Sequence, residues 1–97
     1  MENIEIDFWA EIQNLRPVTW VYKSDPTEKR HIGYIAEELD AIDAFKYVVY
    51  YNSQNEPAGI KYELLSVYAV EALKLAAKKI EDLENKILNI EEALSKL

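Results

Sequence analysis

The sequence predicts an α+β fold: a small globular base of short helices and short antiparallel strands, and a long C-terminal helix forming a parallel trimeric coiled coil. Three observations carry that expectation. All three prolines (Pro17, Pro26, Pro57) and both glycines (Gly33, Gly59) lie before position 60, so the helix breakers are confined to the first part of the chain. Residues 62–97 are good helix formers almost without interruption, and at about 1.5 Å per residue such a helix is roughly 54 Å long. A compact globule of this chain length has a radius of gyration of about 12.5 Å, hence a diameter near ~30 Å, so the helix must leave its own domain. The third observation is an apolar stripe that such a helix cannot leave in water: Leu73, Ala76, Ile80, Leu83, Ile87, Ile90, Leu94 and Leu97 alternate steps of three and four, the a/d pattern of a coiled coil.

The register of the stripe also fixes its flanks. With Ile80 at a, the g positions hold Lys79 and Lys86 and the e positions five residues later hold Glu84 and Glu91, so a parallel coil sets each lysine against a glutamate of the next chain. Isoleucine at both kinds of core position (Ile80 and Ile87 at a, Ile90 at d) leans toward three strands, while Leu83, Leu94 and Leu97 dilute that signal and leave a dimer open. The oligomerisation residues are thus Leu73, Ile80, Leu83, Ile87, Ile90, Leu94 and Leu97. The alternative is a charged, solvated face on a helix packed within a monomer. Nearer the start of the helix, Leu64, Leu65, Val67, Tyr68, Val70, Leu73 and Leu75 are apolar on nearly every side, so this part is expected to be sunk in the base.

The base itself is residues 1–61, with 62–97 as the helix of the same single domain. Phe8, Trp9, Ile12 and Leu15 sit at helical spacing in a first helix that Pro17 ends. Val18, Trp20 and Tyr22 alternate with Thr19, Val21 and Lys23, a strand pattern. A polar turn over 24–29, an extended piece over 31–35, an acidic helix over 36–44 and a strand over 47–51 follow. A turn over 52–59 then leads into 60–62, a hairpin closed by a Pro-x-Gly loop.

Composition excludes most chemistry. Ninety-seven residues make one domain, and no cysteine means no disulfide, thiolate nucleophile or cysteine-ligated metal. One histidine is too few for an imidazole metal cage, and a net charge of −7 disfavours nucleic acid and anionic membrane as partners. No apolar run reaches the ~18 to 20 residues of a membrane span, and residues 1–10 carry acids where a signal peptide carries bases, so a soluble protein in a reducing compartment is expected. Glu37 and Glu38, Glu81 and Asp82, and Glu91 and Glu92 are adjacent acids that diverge by about 100° on a helix, not a carboxylate dyad. Neither a Gly-rich phosphate loop nor a zinc motif is present, so no metal site and no catalytic residue is assigned. Tyr47, Tyr50 and Tyr51 have two readings, a stacking platform or sheet and interface residues, and the second is favoured because only Lys46 interleaves them. Lys29, Arg30 and His31 form the one basic cluster, with two readings, a grip for a phosphate or a carboxylate or a solvated loop with a structural histidine, of which the second is favoured.

The middle of the chain adds a resemblance. Leu15-Arg16-Pro17-Val18-Thr19-Trp20-Val21-Tyr22-Lys23, then Arg30-His31-Ile32-Gly33-Tyr34-Ile35-Ala36-Glu37-Glu38-Leu39, with Gly59, Tyr62, Leu64, Leu65 and Glu71-Ala72-Leu73-Lys74 downstream, resembles the endosialidase-type intramolecular chaperones. These are the S74 peptidase-like C-terminal domains of phage tail spikes, tail fibres and neck appendages. Arg30, His31, Ile32, Gly33, Ala36 and Glu38 are the motif residues. The resemblance implies a homotrimer that aids folding of an upstream fibre or spike domain of the same chain in the host cytoplasm during virion assembly. It further implies release from the mature fibre by autocleavage at a Ser-Asp-x-x-x-Lys motif. Here Met1 stands where that lysine is expected, so the chain looks like the chaperone part without its nucleophile and base, not an enzyme. Ser24, Asp25 and Lys29 repeat the spacing in the wrong place, in a wet loop bent by Pro26, and a serine–lysine dyad needs a buried, deprotonated lysine. The resemblance also allows ATP as a cofactor, with Lys29, Arg30 and His31 as candidate phosphate contacts and a nearby tyrosine for stacking.

Overall fold

The computed structural model describes residues 2–97, so Met1 lies outside the described residues. The chain is α+β, with short helices, two small antiparallel sheets and one long terminal helix. Helix α1 (Phe8–Ile12) starts where the Asp7 carboxylate accepts the Ala10 N–H at 3.1 Å, which satisfies one of the donors a helix start leaves free. It is shorter than the spacing predicts and unwinds through turns at 13–15 well before Pro17. Strands β1 (Val18–Val21) and β2 (Arg30–Gly33) pair antiparallel, with Trp20 opposite His31 and Val18 opposite Gly33. The loop between them is held by Asp25, whose carboxylate accepts the Thr27 N–H at 2.9 Å and the Thr27 hydroxyl at 2.6 Å. Those bonds depress the Asp25 pKa below the ordinary carboxylate value.

The acidic helix predicted over 36–44 is two elements: α2 (Ala36–Asp40) and a 3-10 helix (Asp43–Val48). Ile42 between them is extended, and the three-residue period of the 3-10 helix then stacks Phe45 and Val48 on one edge. Both are completely buried. Tyr47, predicted to open a strand, belongs to this 3-10 helix, and β3 is only Val49–Tyr51. Its partner β4 is Pro57–Ile60. Pro57 and Gly59 therefore lie in the strand, not in the turn. The turn is made by residues 52–56, where the Asn52 side-chain carbonyl accepts the Gln54 and Glu56 N–H groups, each at 2.9 Å, and Asn55 takes φ 63°. Asparagine is one of the few side chains that tolerates that left-handed conformation. Pro57 is accommodated because it is the first residue of an edge strand beside a bulge.

Helix α3 (Tyr62–Ser95) has 34 residues and gives the molecule extents of 69 × 39 × 19 Å and a radius of gyration of 20.0 Å. A compact chain of this length reaches about 12.5 Å, so α3 does project from the base. The core comprises Phe8, Leu39, Phe45, Val48, Val49, Tyr68 and Ala72. Tyr68 is at its centre: the Phe8 ring meets it edge-on at 5.4 Å, the Phe45 ring stacks on it at 4.9 Å, and its hydroxyl donates to the Ala44 carbonyl. Contrary to the sequence expectation, the start of α3 is not sunk in the base. Only Leu65, Tyr68, Glu71, Ala72 and Ala76 are buried or half-buried, whereas Leu64, Val67, Val70, Leu73 and Leu75 are exposed, because a base this small covers one flank of a helix and no more.

Phe45→Ala should remove about 3–5 kcal/mol from the base by leaving a cavity under Tyr68. Urea unfolding followed by tryptophan fluorescence reads the base alone, since Trp9 and Trp20 both lie in it; the midpoint should fall sharply.

Candidate functional site

The motif stretch 30–38 leads from the β1–β2 hairpin into α2, and two of its positions, Gly33 and Glu38, sit where pieces of the fold meet. Alternation along a strand puts Arg30 and Ile32 on one face and His31 and Gly33 on the other. On the first face the Arg30 guanidinium donates to the Thr19 hydroxyl at 3.0 Å, and Ile32 is 76% exposed. On the second, His31 stacks on Trp20 with centroids 5.9 Å apart, and Tyr22 closes on it at 4.9 Å. Gly33 is buried beneath Tyr62, the first residue of α3. The Tyr34 N–H donates to the Tyr62 hydroxyl at 3.1 Å, which ties the hairpin to the helix start. A Cβ at Gly33 would run into that hydroxyl and come within 3.0 Å of Trp20 Cη2. Glycine is required here for space, since its φ is not positive.

Ala36 opens α2, and Glu38 on the same helix binds Arg16 with both carboxylate oxygens; the Nε to Oε1 bond is 3.1 Å and the second runs from Nη2 to Oε2. The hydrogen bond and the carboxylate charge hold the Arg16 pKa above its ordinary value. Both side chains are solvated, so the pair adds direction more than stability. The pairing of Arg16 with Glu38 has no local signal in the sequence, since it spans 22 residues. Tyr51 donates its hydroxyl to the Asp40 carboxylate, joining β3 to α2, and that bond raises the Tyr51 pKa.

Lys29, Arg30 and His31 do not converge. Lys29 is exposed in the loop, while Arg30 and His31 point to opposite faces of the hairpin. A cleft of about 500 Å³ lies elsewhere and is lined by Glu2, Glu5, Asp7, Glu11 and Asp43 with no lysine or arginine, an electrostatic setting that repels phosphate. Tyr47, Tyr50 and Tyr51 form no common platform, since Tyr50 faces the Lys61 ammonium at 5.2 Å and Tyr51 is turned to Asp40. Ser24 and Lys29 are both exposed, and among the described residues no hydrogen bond joins them. No group of three His, Cys, Asp or Glu side chains suited to a metal ion occurs among the described residues.

The second cluster of interest is the open stripe of α3. Every residue of 77–97 is exposed. Leu73 is 70% exposed, and Ile80, Leu83, Ile87, Ile90 and Leu94 are between 54% and 61%, with Leu97 beyond them at the chain end. Lys74, Lys78 and Lys96 pair with Glu71, Asp82 and Glu92 of their own helix. Among the described residues, Lys79, Lys86, Glu84 and Glu91 make no ion pair within the chain; the Lys79 ammonium lies over the Trp9 ring at 5.9 Å.

With the hairpin, its glycine joint and α2 in place, the comparison with known families is decisive: the model of the chaperone of endosialidase family, peptidase S74, matches residues 2–50. The chain belongs to that family. No curated protein and no solved structure matches it. The stretch that matches the chaperone of endosialidase contains α1, both strands of the first hairpin, α2 and the 3-10 helix, so the family signature resides in the base. In this chaperone domain the motif residues Gly33 and Glu38 are joints of the fold, and Arg30 and His31 brace the first hairpin. No helix of the described residues is long and apolar enough to cross a membrane.

Gly33→Ala should cost about 1–3 kcal/mol, the range for overfilling a packed site. In a Tyr62→Phe background the obstructing oxygen is gone, so the same substitution should cost measurably less. A double-mutant cycle by urea unfolding checks this; equal costs in both backgrounds would show that Tyr62 is not what Gly33 accommodates.

Proposed function

We propose that this chain is a C-terminal intramolecular chaperone that assembles as a parallel homotrimer. It holds three copies of an upstream β-rich fibre or spike segment of the same polypeptide in register while that segment folds. Membership of the chaperone of endosialidase family supports the chaperone role. The observation that carries the trimer is the open a/d stripe: residues 77–97 are exposed, and their apolar face runs unbroken from Ile80 to Leu97. Helices in proteins draw most of their stability from packing an amphipathic face, and burying the stripe against two copies removes the exposed aliphatic surface.

The physical benefit to a client is entropic. Three chains joined at one end meet at high effective concentration and with aligned ends, which lowers the cost of closing an intertwined fibre. Lys79, Lys86, Glu84 and Glu91, which make no ion pair among the described residues, then find partners across the g–e seam of a parallel coil, an arrangement that also disfavours antiparallel docking. The setting of this work is the host cytoplasm during virion assembly, with the domain leaving the finished fibre after a cut. The domain acts by holding, not by turnover: Ser24 and Lys29 stand exposed in a loop, and among the described residues no hydrogen bond joins them. The reading calls for no nucleotide, because Arg30 and His31 diverge.

Sedimentation across a dilution series should give about 34 kDa, three times the 11.3 kDa chain. Ile87→Asp should abolish it, losing about 2–5 kcal/mol of packing per chain in addition to the cost of burying charge. Retention of the trimer in that variant would refute the seam. Function is tested by fusing the domain behind a β-helical fibre segment: soluble trimeric fibre should form only with the domain present. An unrelated trimeric coiled coil that serves equally well would sink the chaperone reading while leaving the trimer intact.

A further inference from the structure

Of the apolar side chains in the first turns of α3 that lie outside the a/d seam, Val67 and Val70 are the most exposed. Val67 and Val70 are 50% and 54% exposed. In the register with Ile80 at a, Val70 falls at e and Val67 at b. The base covers the opposite flank, where Leu65 and Ala72 are g residues and Tyr68 is a c residue. Between the base and that flank lies an apolar cavity of about 270 Å³, lined by Ile12, Leu15 and Tyr34 from the base and Leu65, Tyr68 and Ala69 from α3. Ala69 is a d residue, so the cavity opens at the edge of the seam.

In a parallel coil the g flank of one helix lies beside the e flank of the next, offset by five residues. The residue that comes opposite Leu65 is therefore Val70 of the partner subunit. We infer that in the assembled coil each chain inserts Val70 into the Ile12–Leu15–Tyr34–Leu65 cavity of its neighbour, with Val67 against the rim. This rests on the parallel trimer proposed above and adds a contact that a bare coiled coil lacks. It also gives the assembly a register check. The other e residues are Glu63, Ala77, Glu84 and Glu91, so a slip of one heptad puts a carboxylate or a methyl group where Val70 belongs. A seam of repeating aliphatic residues tolerates such a slip, whereas the base-to-neighbour contact does not.

The chain has no cysteine, so Leu15→Cys/Val70→Cys introduces one pair per chain. Oxidation with oxidised glutathione should close a ring of three chains, seen as a band of about 34 kDa under denaturing conditions that returns to 11.3 kDa on reduction; either single variant can give dimers at most. A trimeric mass in sedimentation with no covalent trimer overturns the Val70 contact and leaves the coil standing. A monomeric mass for the unmodified chain overturns the coil itself. As a second measurement, Val70→Glu, exposed within its own chain, should lower the melting temperature of the base in the wild-type background and leave it unmoved in Ile87→Asp. Equal shifts in both backgrounds, or none in either, count against the inference.

Discussion

The ring of Tyr68 sets the rotation of α3 about its own axis. Phe8 edge-on, Phe45 flat against it and the Ala44 carbonyl at its hydroxyl leave it one position. Burial pushes the Tyr68 pKa up, with Tyr47 adding to the shift, so the phenol keeps its proton and continues to donate through neutral pH. Because successive residues on a helix are about 100° apart, fixing Tyr68 inward carries Leu65 and Ala72 inward with it and swings Leu73, Val70 and Val67 outward. In the first turns of α3 the outward row is thus a consequence of how the base grips the helix; from residue 77 onward every side of the helix is exposed.

The base is too small to be independent of that grip. Two of its seven core residues, Tyr68 and Ala72, belong to α3, and each of its sheets has only two strands, a size that is marginal alone in water. The joints compensate. Tyr62 closes over Gly33, Glu38 binds Arg16, and Tyr51 reaches Asp40, so the first hairpin, α2, the second hairpin and the helix start are each held by at least one directional contact. None of these contacts is strong by itself, and their value lies in fixing orientation. Base and helix are thereby coupled: the base needs Tyr68 and Ala72 of the helix to complete its core, and its grip leaves the apolar stripe of the helix open.

The long helix was legible from the sequence because the breakers stop at Gly59 and the three-four spacing continues to Leu97. The first hairpin was legible from alternation around Trp20, and the motif stretch pointed to the family. Element edges were less so. The 3-10 helix of residues 43–48 has no local signature distinct from an α-helix, since Phe45 and Val48 choose it by reaching one core. The second turn was misplaced because Pro57 and Gly59 are strong turn residues, yet the Asn52 side chain supplies the turn hydrogen bonds and leaves the proline in an edge strand.

The sequence by itself determined the existence of the projecting helix, its heptad register and the absence of cysteine or metal-cage chemistry, all of which depend on residue type and spacing along one chain. Only the tertiary structure decided which flank of α3 the base covers, that Glu38 binds Arg16, and that Gly33 makes room for Tyr62. Those outcomes depend on contacts between residues 22 or more positions apart, where local preference carries no information and packing alone selects the answer.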